Sequence, residues 1–339
     1  MDSLTQIVLG AACGEAALGK KIGNKALLFG AIGGTIPDLD VFVGRWIFNN
    51  EIDIMAFHRG FMHSILFAIV AAFIFGWLVH RLYDTGIRKH TTTRRDWIWL
   101  FFLSLFTHPI LDSFTPYGTQ LFTPFSNYRV AINNISVADP FYTVPFLLCM
   151  IILMFFRRQT RRRNIWLKLG IGISSAYMLF TLVNKVYINS VYKKSLEQEG
   201  ISYSRFQTQP SILNNILWYG VAETNESYFV GFYSLLDRTN EVDSWSELPK
   251  NHYLAPITNP DIKTLAWFSN GYYNFIEKPG DTLRYNDLRY PSLDFENPNN
   301  SVFSFTLKKD GERYDILPFN GRPPSSEDFD NFLNRIKGK

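Results

Sequence analysis

Long apolar stretches dominate the first half of the chain, and short alternating stretches dominate the second. Five apolar runs approach the roughly 20 residues that a helix needs to cross the hydrocarbon core of a membrane. They are 26–48, 61–80, 97–111, 141–156 and 165–187. A sixth stretch, 3–18, is shorter and carries Gln6 and Glu15, so a tilted span, a half-helix and a buried bundle helix all remain open. The pattern predicts an all-α polytopic membrane helical bundle of five to six spans.

Basic residues cluster in alternate connections between these runs. They follow the first, third and fifth helices, at Lys20, Lys21 and Lys25, at Arg81, Arg88, Lys89, Arg94 and Arg95, and at Arg157, Arg158, Arg161, Arg162 and Arg163. Because connections rich in Lys and Arg stay in the cytoplasm, we expect these three to be cytoplasmic. The connections 49–60 and 112–140 then face outward. With six spans, everything after Tyr187 lies outside the cytoplasm of a bacterial inner membrane.

The composition changes near residue 190, which predicts a membrane domain at 1–190 and a second domain at 191–339. The second domain has short alternating or aromatic stretches, SYFVGFYSLL, SVFSFTLKK and ERYDILPF, separated by Asn, Pro, Gly and Asp. This pattern is typical of β-strands and predicts a β-rich (α+β) extracytoplasmic domain. The stretch 324–337 predicts a helix capped by Ser325 or Ser326, with acidic residues in its first turn.

Charge and cysteine content exclude several classes of function. The net charge is only +4 and is spread over short clusters, so nucleic-acid binding is not expected. Cys13 and Cys149 lie in apolar segments, where a thiol behaves as a small hydrophobic group, and we expect no disulfide and no cysteine metal site. The N-terminus lacks the features of a secretory signal, and Asp2 would be unusual in one. We therefore expect the first helix to remain in the mature protein.

Two carboxylates follow Pro37 in the segment GGTIPDLDVFVG. Asp38 and Asp40 cannot share one face of a regular helix, but Pro37 and the two glycines can open the helix near its outer end. An opened segment can aim both carboxylates at one ion. Ionisable groups at membrane depth are costly and need a partner or a function. The alternative is a turn at the helix end with solvated acids.

Two histidines, His58 and His63, begin the third helix in HRGFMHS. Neutral imidazole is a common metal ligand, and both rings can meet if His58 lies on the entering turn. Arg59, between them, has the planar fork that pairs with an anionic substrate oxygen. The alternative is an interfacial histidine pair with an arginine that reaches to the surface.

His108 and Asp112 are four residues apart in THPILDSF, so on a helix they share a face. An intrahelical hydrogen bond is the alternative. The predicted topology puts all three pairs at the outer ends of their helices, which favours one metal site built from six ligands: Asp38, Asp40, His58, His63, His108 and Asp112.

Mixed histidine and carboxylate ligands favour zinc, with manganese or iron also compatible. Six ligands can hold one ion or two, and a two-ion site favours hydrolysis of a phosphoester. Asp38, Asp40 and Asp112 are the candidates for ligand or general base. The predicted catalytic residues are Asp38, Asp112 and Arg59. The loop 114–129 follows directly and ends at Arg129. It is either a lid beside an interfacial substrate or an ordinary structured loop.

The segments MDSLTQIVLGAACGEAALG, IPDLD, HRGFMHS and HPILDSFTPYGTQLFTPFS resemble the YdjM family of LexA-associated, inner-membrane, metal-dependent hydrolases. ILNNILWYGVAETNESYFVGFYSLLD resembles it in part. The family is distantly similar to zinc-dependent phospholipase C and P1 nuclease. The resemblance implies that the six His and Asp residues are ligands and that the chemistry acts on phosphodiesters. Many relatives carry a histidine where this chain has Gln6, so the number of ions stays open.

Three functions are compatible with these residues. The leading hypothesis is a membrane-bound hydrolase acting on a lipid or envelope phosphoester at the outer membrane surface. The alternative is a non-catalytic membrane protein whose metal joins three helices while the outer domain binds an envelope partner. A transporter ranks third, because only Glu15, Asn184 and Lys185 continue a polar path toward the other side.

Overall fold

The computed structural model describes residues 1–295, 297–318 and 325–339. The described chain forms two compact units, 1–46 with 57–182, and 47–56 with 183–339. The first unit is helical, and the second contains two four-stranded sheets. The predicted order, a helical region followed by a β-sheet domain, is confirmed.

Helices and strands follow one another in a simple order. The helices are α1 (Ser3–Ile22), α2 (Asn24–Thr35), α3 (Asp40–Ile47), α4 (Glu51–Phe57), α5 (Ile65–Tyr83), α6 (Arg94–Asp112), α7 (Pro140–Met154), α8 (Arg161–Gln198), α9 (Pro260–Phe268) and α10 (Ser326–Ile336). The strands are β1 (Arg205–Pro210), β2 (Leu217–Glu223), β3 (Ser227–Ser234), β4 (Ser246–Pro249), β5 (Tyr273–Lys278), β6 (Thr282–Asp287), β7 (Ser304–Asp310) and β8 (Arg313–Leu317). Short 3-10 helices lie at Pro37–Leu39, Phe61–His63, Gly86–Arg88 and His252–Leu254.

Helices α1 and α2 pack closely through glycines. A Cβ atom on Gly30 would lie only 2.2 Å from the carbonyl oxygen of Gly10, and one on Gly14 only 2.1 Å from that of Ala26. Small residues allow two backbones to approach in this way, which is how helices without a polar interface associate in lipid. Gly23 joins the two helices with a φ of 62°, a conformation that favours glycine.

Pro37 breaks the second apolar run. The pieces on either side, Asn24–Thr35 and Pro37–Ile47, are bent by 42° relative to each other. Proline lacks an N–H and cannot continue the hydrogen-bond ladder of the preceding helix. The predicted opening of the helix at Pro37 is confirmed. It places Asp38 in the short 3-10 helix and Asp40 at the first residue of α3.

Within the described residues, two helices are long and apolar enough to cross a membrane, Ile65–Tyr83 and Arg161–Gln198. A third span is added if the bent pair around Pro37 is counted as one. Helix α7 is apolar but shorter, and the apolar stretch of α6 is limited by charged residues near both its ends. The count of five to six spans therefore stays a prediction.

A buried ion pair joins α1 to α8 in the helical unit. The guanidinium group of Arg163 donates to both carboxylate oxygens of Glu15, at 2.7 and 2.6 Å, and also to the side-chain oxygen of Asn24 at 2.7 Å. Both charged side chains are about nine-tenths or more buried. Removing one partner of such a pair leaves a buried charge without compensation.

The second unit is built on two antiparallel meanders, β1-β2-β3-β4 and β5-β6-β7-β8. The C-terminal part of α8 belongs to this unit, where the buried Tyr192 donates its hydroxyl to the carbonyl of Trp218 at 2.9 Å. The Tyr192 ring packs against Gly220. A Cβ atom on Gly220 would lie only 2.1 Å from that ring. The helix predicted to end at 187 therefore continues to Gln198, because its aromatic face packs on the first sheet.

The predicted strands and final helix of this unit are recovered. SYFVGFYSLL and ERYDILPF contain β3 and β8, and SVFSFTLKK contains all of β7 except Asp310. Ser325 caps α10 by accepting from the N–H of Asp328, as predicted. Phe319 and the prolines at 323 and 324, included in these predictions, lie outside the described residues.

On β2, Glu223 accepts from Lys250 at 2.8 Å and from Arg205 at 2.5 Å.

Residues 47–56 belong to the second unit although they follow α3 in the chain. Ile52 is fully buried in a cluster with residues of the second sheet, including Phe275 and Leu307. Asn50 donates to the carbonyl of Tyr314 at 3.1 Å, and Asp53 pairs with Arg313 at 2.8 Å. The sequence pattern had indicated only an ordinary connection here.

Candidate metal centre

Four side chains from three parts of the helical unit meet at one point. Asp38 lies in the short helix between α2 and α3, His63 ends the short helix before α5, and His108 and Asp112 lie near the end of α6. Each offers one ligand atom, and these four atoms all lie within 4.8 Å of one another. The sequence prediction of a metal-binding group is supported for these four residues.

The spacing of the four atoms fits a tetrahedral ion. His63 Nε2 and His108 Nε2 are 3.1 Å apart, and each lies 3.4 Å from Asp38 Oδ1 and 3.5 Å from Asp112 Oδ2. Ligand atoms on bonds of about 2.0–2.1 Å to a tetrahedral centre stand about 3.3–3.4 Å apart. The structure therefore has both the donor chemistry and the spacing that a zinc-sized cation requires.

Contacts on the far side of each ring fix which nitrogen faces the cluster. His108 Nδ1 lies 2.7 Å from the carbonyl oxygen of Gly34, and His63 Nδ1 lies 3.0 Å from Asp40 Oδ2. Because a carbonyl oxygen can only accept, His108 Nδ1 carries the proton and His108 Nε2 keeps a lone pair. His63 Nδ1 lies beside the Asp40 carboxylate without an aligned hydrogen bond, and we expect the same tautomer there because that carboxylate attracts a protonated Nδ1. Asp112 Oδ2 is buried and accepts no hydrogen bond. Lone pairs of nitrogen and oxygen thus converge on one space, where a cation would relieve their repulsion.

Asp40 and His58, also predicted as ligands, lie beside the four-atom group and not within it. Asp40 Oδ1 lies 2.8 Å from His58 Nδ1, while Oδ2 faces His63 and accepts the backbone N–H of Arg59 at 2.9 Å. Both oxygens are therefore engaged in orienting neighbours. Burial lowers the pKa of His58 below its ordinary value, although the hydrogen bond to Asp40 opposes this. This lowering of the pKa favours the neutral ring, which is partly exposed.

Arg59 and Arg129 lie on the ring of Tyr117. The guanidinium carbon of Arg59 is 4.6 Å from the ring centroid, and that of Arg129 is 5.1 Å from it. Arg59 Nε is also 3.3 Å from Asp112 Oδ2, so its charge adjoins the candidate metal ligands. Its φ of 58° is uncommon for a residue with a side chain. The positive charge of Arg59 next to the cluster favours an anionic ligand.

Gln6 reaches the cluster from α1. Its side-chain amide donates to Asp112 Oδ1 at 2.8 Å and to the carbonyl of His108 at 3.2 Å. The amino group of Met1 also contacts Asp112 Oδ1. Where the resemblance implies a histidine in relatives, this chain thus has an amide that holds a ligand in place.

Sequence reasoning left three contributors to the site without an assigned role. The carbonyl of Gly34 has no side-chain signal, although its position just before Pro37 marks a place where helix carbonyls lose their partners. Tyr117 and Arg129 lie in the loop after α6, and only their aromatic and basic character pointed to them. The loop is fastened beside the site, because Gln120 N–H donates to the carbonyl of Arg59 at 3.0 Å.

Comparison with known proteins supports the family resemblance. A sequence model of the YdjM inner membrane protein family matches residues 1–188, more than half of the chain. The uncharacterized protein YfhP of Bacillus subtilis (strain 168) is 31% identical over 154 residues. That alignment covers 43% of this chain and 44% of YfhP, so the chain spans less than half the length of this relative. No solved structure matches the chain.

Proposed function

Because the chain belongs to the YdjM inner membrane protein family and gathers four ligand-type side chains at one point, we propose that it is a membrane-bound, metal-dependent hydrolase of phosphoesters. The main support for this proposal is that two imidazole nitrogens and two carboxylate oxygens point their lone pairs into one space. Zinc suits the donor set and its spacing best, with manganese or iron as alternatives. The substrate is a phosphoester of a lipid or of another envelope component.

Bound by Asp38, His63, His108 and Asp112, a divalent cation would supply positive charge that polarises a phosphoryl oxygen and acidifies water. Asp38 is the most accessible of the four, with 22% of its side chain exposed, whereas the other three are buried. Asp38 is therefore better placed than Asp112 to accept a proton from an incoming water molecule. Arg59 and Arg129 supply donors for the remaining phosphoryl oxygens.

Asp40 completes this arrangement by holding His63 and His58 in place. A carboxylate behind a ligating imidazole fixes its tautomer and increases its basicity. We place the site at the outer surface of the inner membrane and the second unit outside the cytoplasm. The basic clusters after α1, after α5 and after α7 support this orientation.

A full-length preparation in detergent tests the proposal. Elemental analysis should find bound metal, and the loaded protein should cleave both phospholipid vesicles and a soluble bis-aryl phosphodiester. His63→Ala and Asp38→Asn should lose metal and turnover together. Asp53→Asn, an acid-to-amide change in the second unit, should retain both. Unchanged metal content in His63→Ala and Asp38→Asn would overturn the assignment of the site.

The burial of three of the four ligands favours one alternative, a metal that joins the short helices Pro37–Leu39 and Phe61–His63 to α6 without catalysis. A closed coordination shell is typical of structural zinc sites. In that case, the variants that lose metal also lose thermal stability, and the loaded wild-type protein releases no product from either substrate. The second unit would then carry the function by binding an envelope partner.

A further inference from the structure

The loop between α6 and α7 has an exposed aromatic segment, Leu121–Tyr128, which we call the aromatic tip. The side chain of Phe125 is 86% exposed, that of Tyr128 is 65% exposed and that of Phe122 is 51% exposed. Apolar surface of this kind marks a place where a protein meets a partner or a membrane. The segment LFTPFSNY contains no charged residue, which is unusual for a loop surrounded by water.

The aromatic tip begins level with the first residue of a candidate membrane span. The N–H of Ile65, the first residue of α5, donates to the carbonyl of Leu121 at 3.0 Å. Helix α5 is apolar enough to cross a membrane and exposes Ile69, Val70 and Phe73 on its surface. Because a span begins where the hydrocarbon core begins, the contact with Ile65 predicts that Leu121 lies near the boundary between lipid and water.

The aromatic residues of the tip and the arginine that follows them fit a position at this boundary. Aromatic side chains concentrate at the level of the lipid headgroups, where an apolar ring and a polar environment meet. Arg129 follows the tip directly, and a guanidinium group beside a lipid surface can reach the phosphates.

We propose that the aromatic tip lies in the headgroup layer of the bilayer that α5 crosses, so that lipid covers Phe122, Phe125 and Tyr128. His63 is two residues before Ile65, and the four ligand atoms therefore lie at the same depth as the tip. The substrate class follows from this depth and rests on the proposed function. A site at the level of the headgroups would act on a phosphoester in the headgroup of a membrane lipid, and that lipid would reach the site from within the leaflet.

Spin labelling of the full chain in phosphatidylethanolamine and phosphatidylglycerol vesicles tests the position of the tip. A nitroxide is attached to Phe125→Cys after the native cysteines are replaced by Cys13→Ser and Cys149→Ser. Tyr253→Cys is the matched control, because Tyr253 is a similarly exposed aromatic residue, at 83%, in the second unit. Phe73→Cys on α5 provides the lipid reference.

The label at Phe125→Cys should collide with a water-soluble nickel chelate several-fold less than the label at Tyr253→Cys. Its collisions with oxygen should lie between those of the two references. Nickel accessibility equal to that of Tyr253→Cys would overturn the proposal. If the cysteine-free protein does not fold, benzoyl-phenylalanine at position 125 with native cysteines provides the second measurement, and lipid adducts are expected on irradiation. Adducts no more abundant than at position 253 would equally overturn it.

Activity separates this inference from the proposed function. Phe125→Ser should reduce turnover of vesicle lipid and leave turnover of the soluble phosphodiester unchanged, because only the first substrate requires the tip. If the label lies at the headgroups but the loaded protein cleaves neither substrate, the hydrolase proposal fails and the tip assignment stands. If the label is in water while lipid is cleaved, the tip assignment fails and the hydrolase proposal stands.

Discussion

Asp40→Asn tests whether a buried carboxylate acts behind the candidate ligands. Asp40 lies 3.0 Å from His63 Nδ1 and 2.8 Å from His58 Nδ1, and it accepts the N–H of Arg59 at 2.9 Å. Asparagine keeps the size of the side chain but removes its charge and one acceptor. His63 then loses the partner that fixes its tautomer, while Asp38 and Asp112 keep their positions.

The expected loss follows from this geometry. Removing the partner of a ligating histidine typically weakens metal affinity by about 10–100-fold. At room temperature this equals about 1.4–2.7 kcal/mol of binding free energy. Removing a ligand itself, as in His108→Ala, should cost more, because the coordination sphere then loses one of its four atoms. Asp40→Asn should therefore lie between the wild-type protein and His108→Ala.

Competition between the detergent-solubilised protein and a chromophoric zinc chelator measures this affinity. Asp96→Asn is the control, since Asp96 caps the other end of α6 and accepts from Lys21. Its zinc affinity should equal that of the wild-type protein. Wild-type affinity in Asp40→Asn would refute the orienting role. A loss equal to that of His108→Ala would instead make Asp40 a ligand, as the sequence pattern predicted.

Three further changes test the packing and electrostatics of the two units. Gly30→Ala should reduce the yield of folded protein in gel filtration, because its Cβ would lie 2.2 Å from a carbonyl oxygen, whereas Gly172→Ala, with no atom within 4 Å, should not. Glu15→Gln should cost about 3–5 kcal/mol in denaturant unfolding, since Arg163 stays buried without its counter-charge, and the double change Glu15→Leu with Arg163→Met should recover most of it. Hydrogen bonds from two basic neighbours hold the pKa of Glu223 below its ordinary value of 4.5, although burial opposes this. The carboxylate therefore stabilises the second unit above that pH and stops doing so as the pH falls, and Glu223→Gln should flatten the acid dependence of unfolding followed by tryptophan fluorescence.

The sequence predicted the elements whose signals are local. Apolar runs gave the helices of the first unit, Pro37 gave the break between α2 and α3, and Ser325 gave the start of α10. The continuation of α8 to Gln198 was missed, because that part of the helix buries Tyr192 against a sheet and has no continuous apolar run. Such packing depends on residues that are distant in sequence.

The candidate site was predictable by residue type but not by role. Histidine and aspartate serve equally well as ligands and as the partners of ligands, so spacing alone could not separate Asp40 and His58 from the other four. The backbone carbonyl of Gly34 could not be predicted from the sequence, since every residue has a backbone carbonyl. Gln6 departs from the pattern that the family resemblance implies, but its amide donates to Asp112.

Because residues 47–56 pack in the second unit, a single cut in the chain cannot separate the two units. The chain leaves the helical unit after Asp40, contributes Ile52 to the core of a β-sheet unit, and returns before His58. A cut near residue 190 would remove the buried side chain of Ile52 from the sheet unit. Residues 47–56 would stay in the other fragment, between Asp40 and His58 in the sequence, without the core in which they pack. A fragment that begins near residue 190 therefore lacks part of the core of the sheet unit, and a fusion made at that point would not transfer the whole unit.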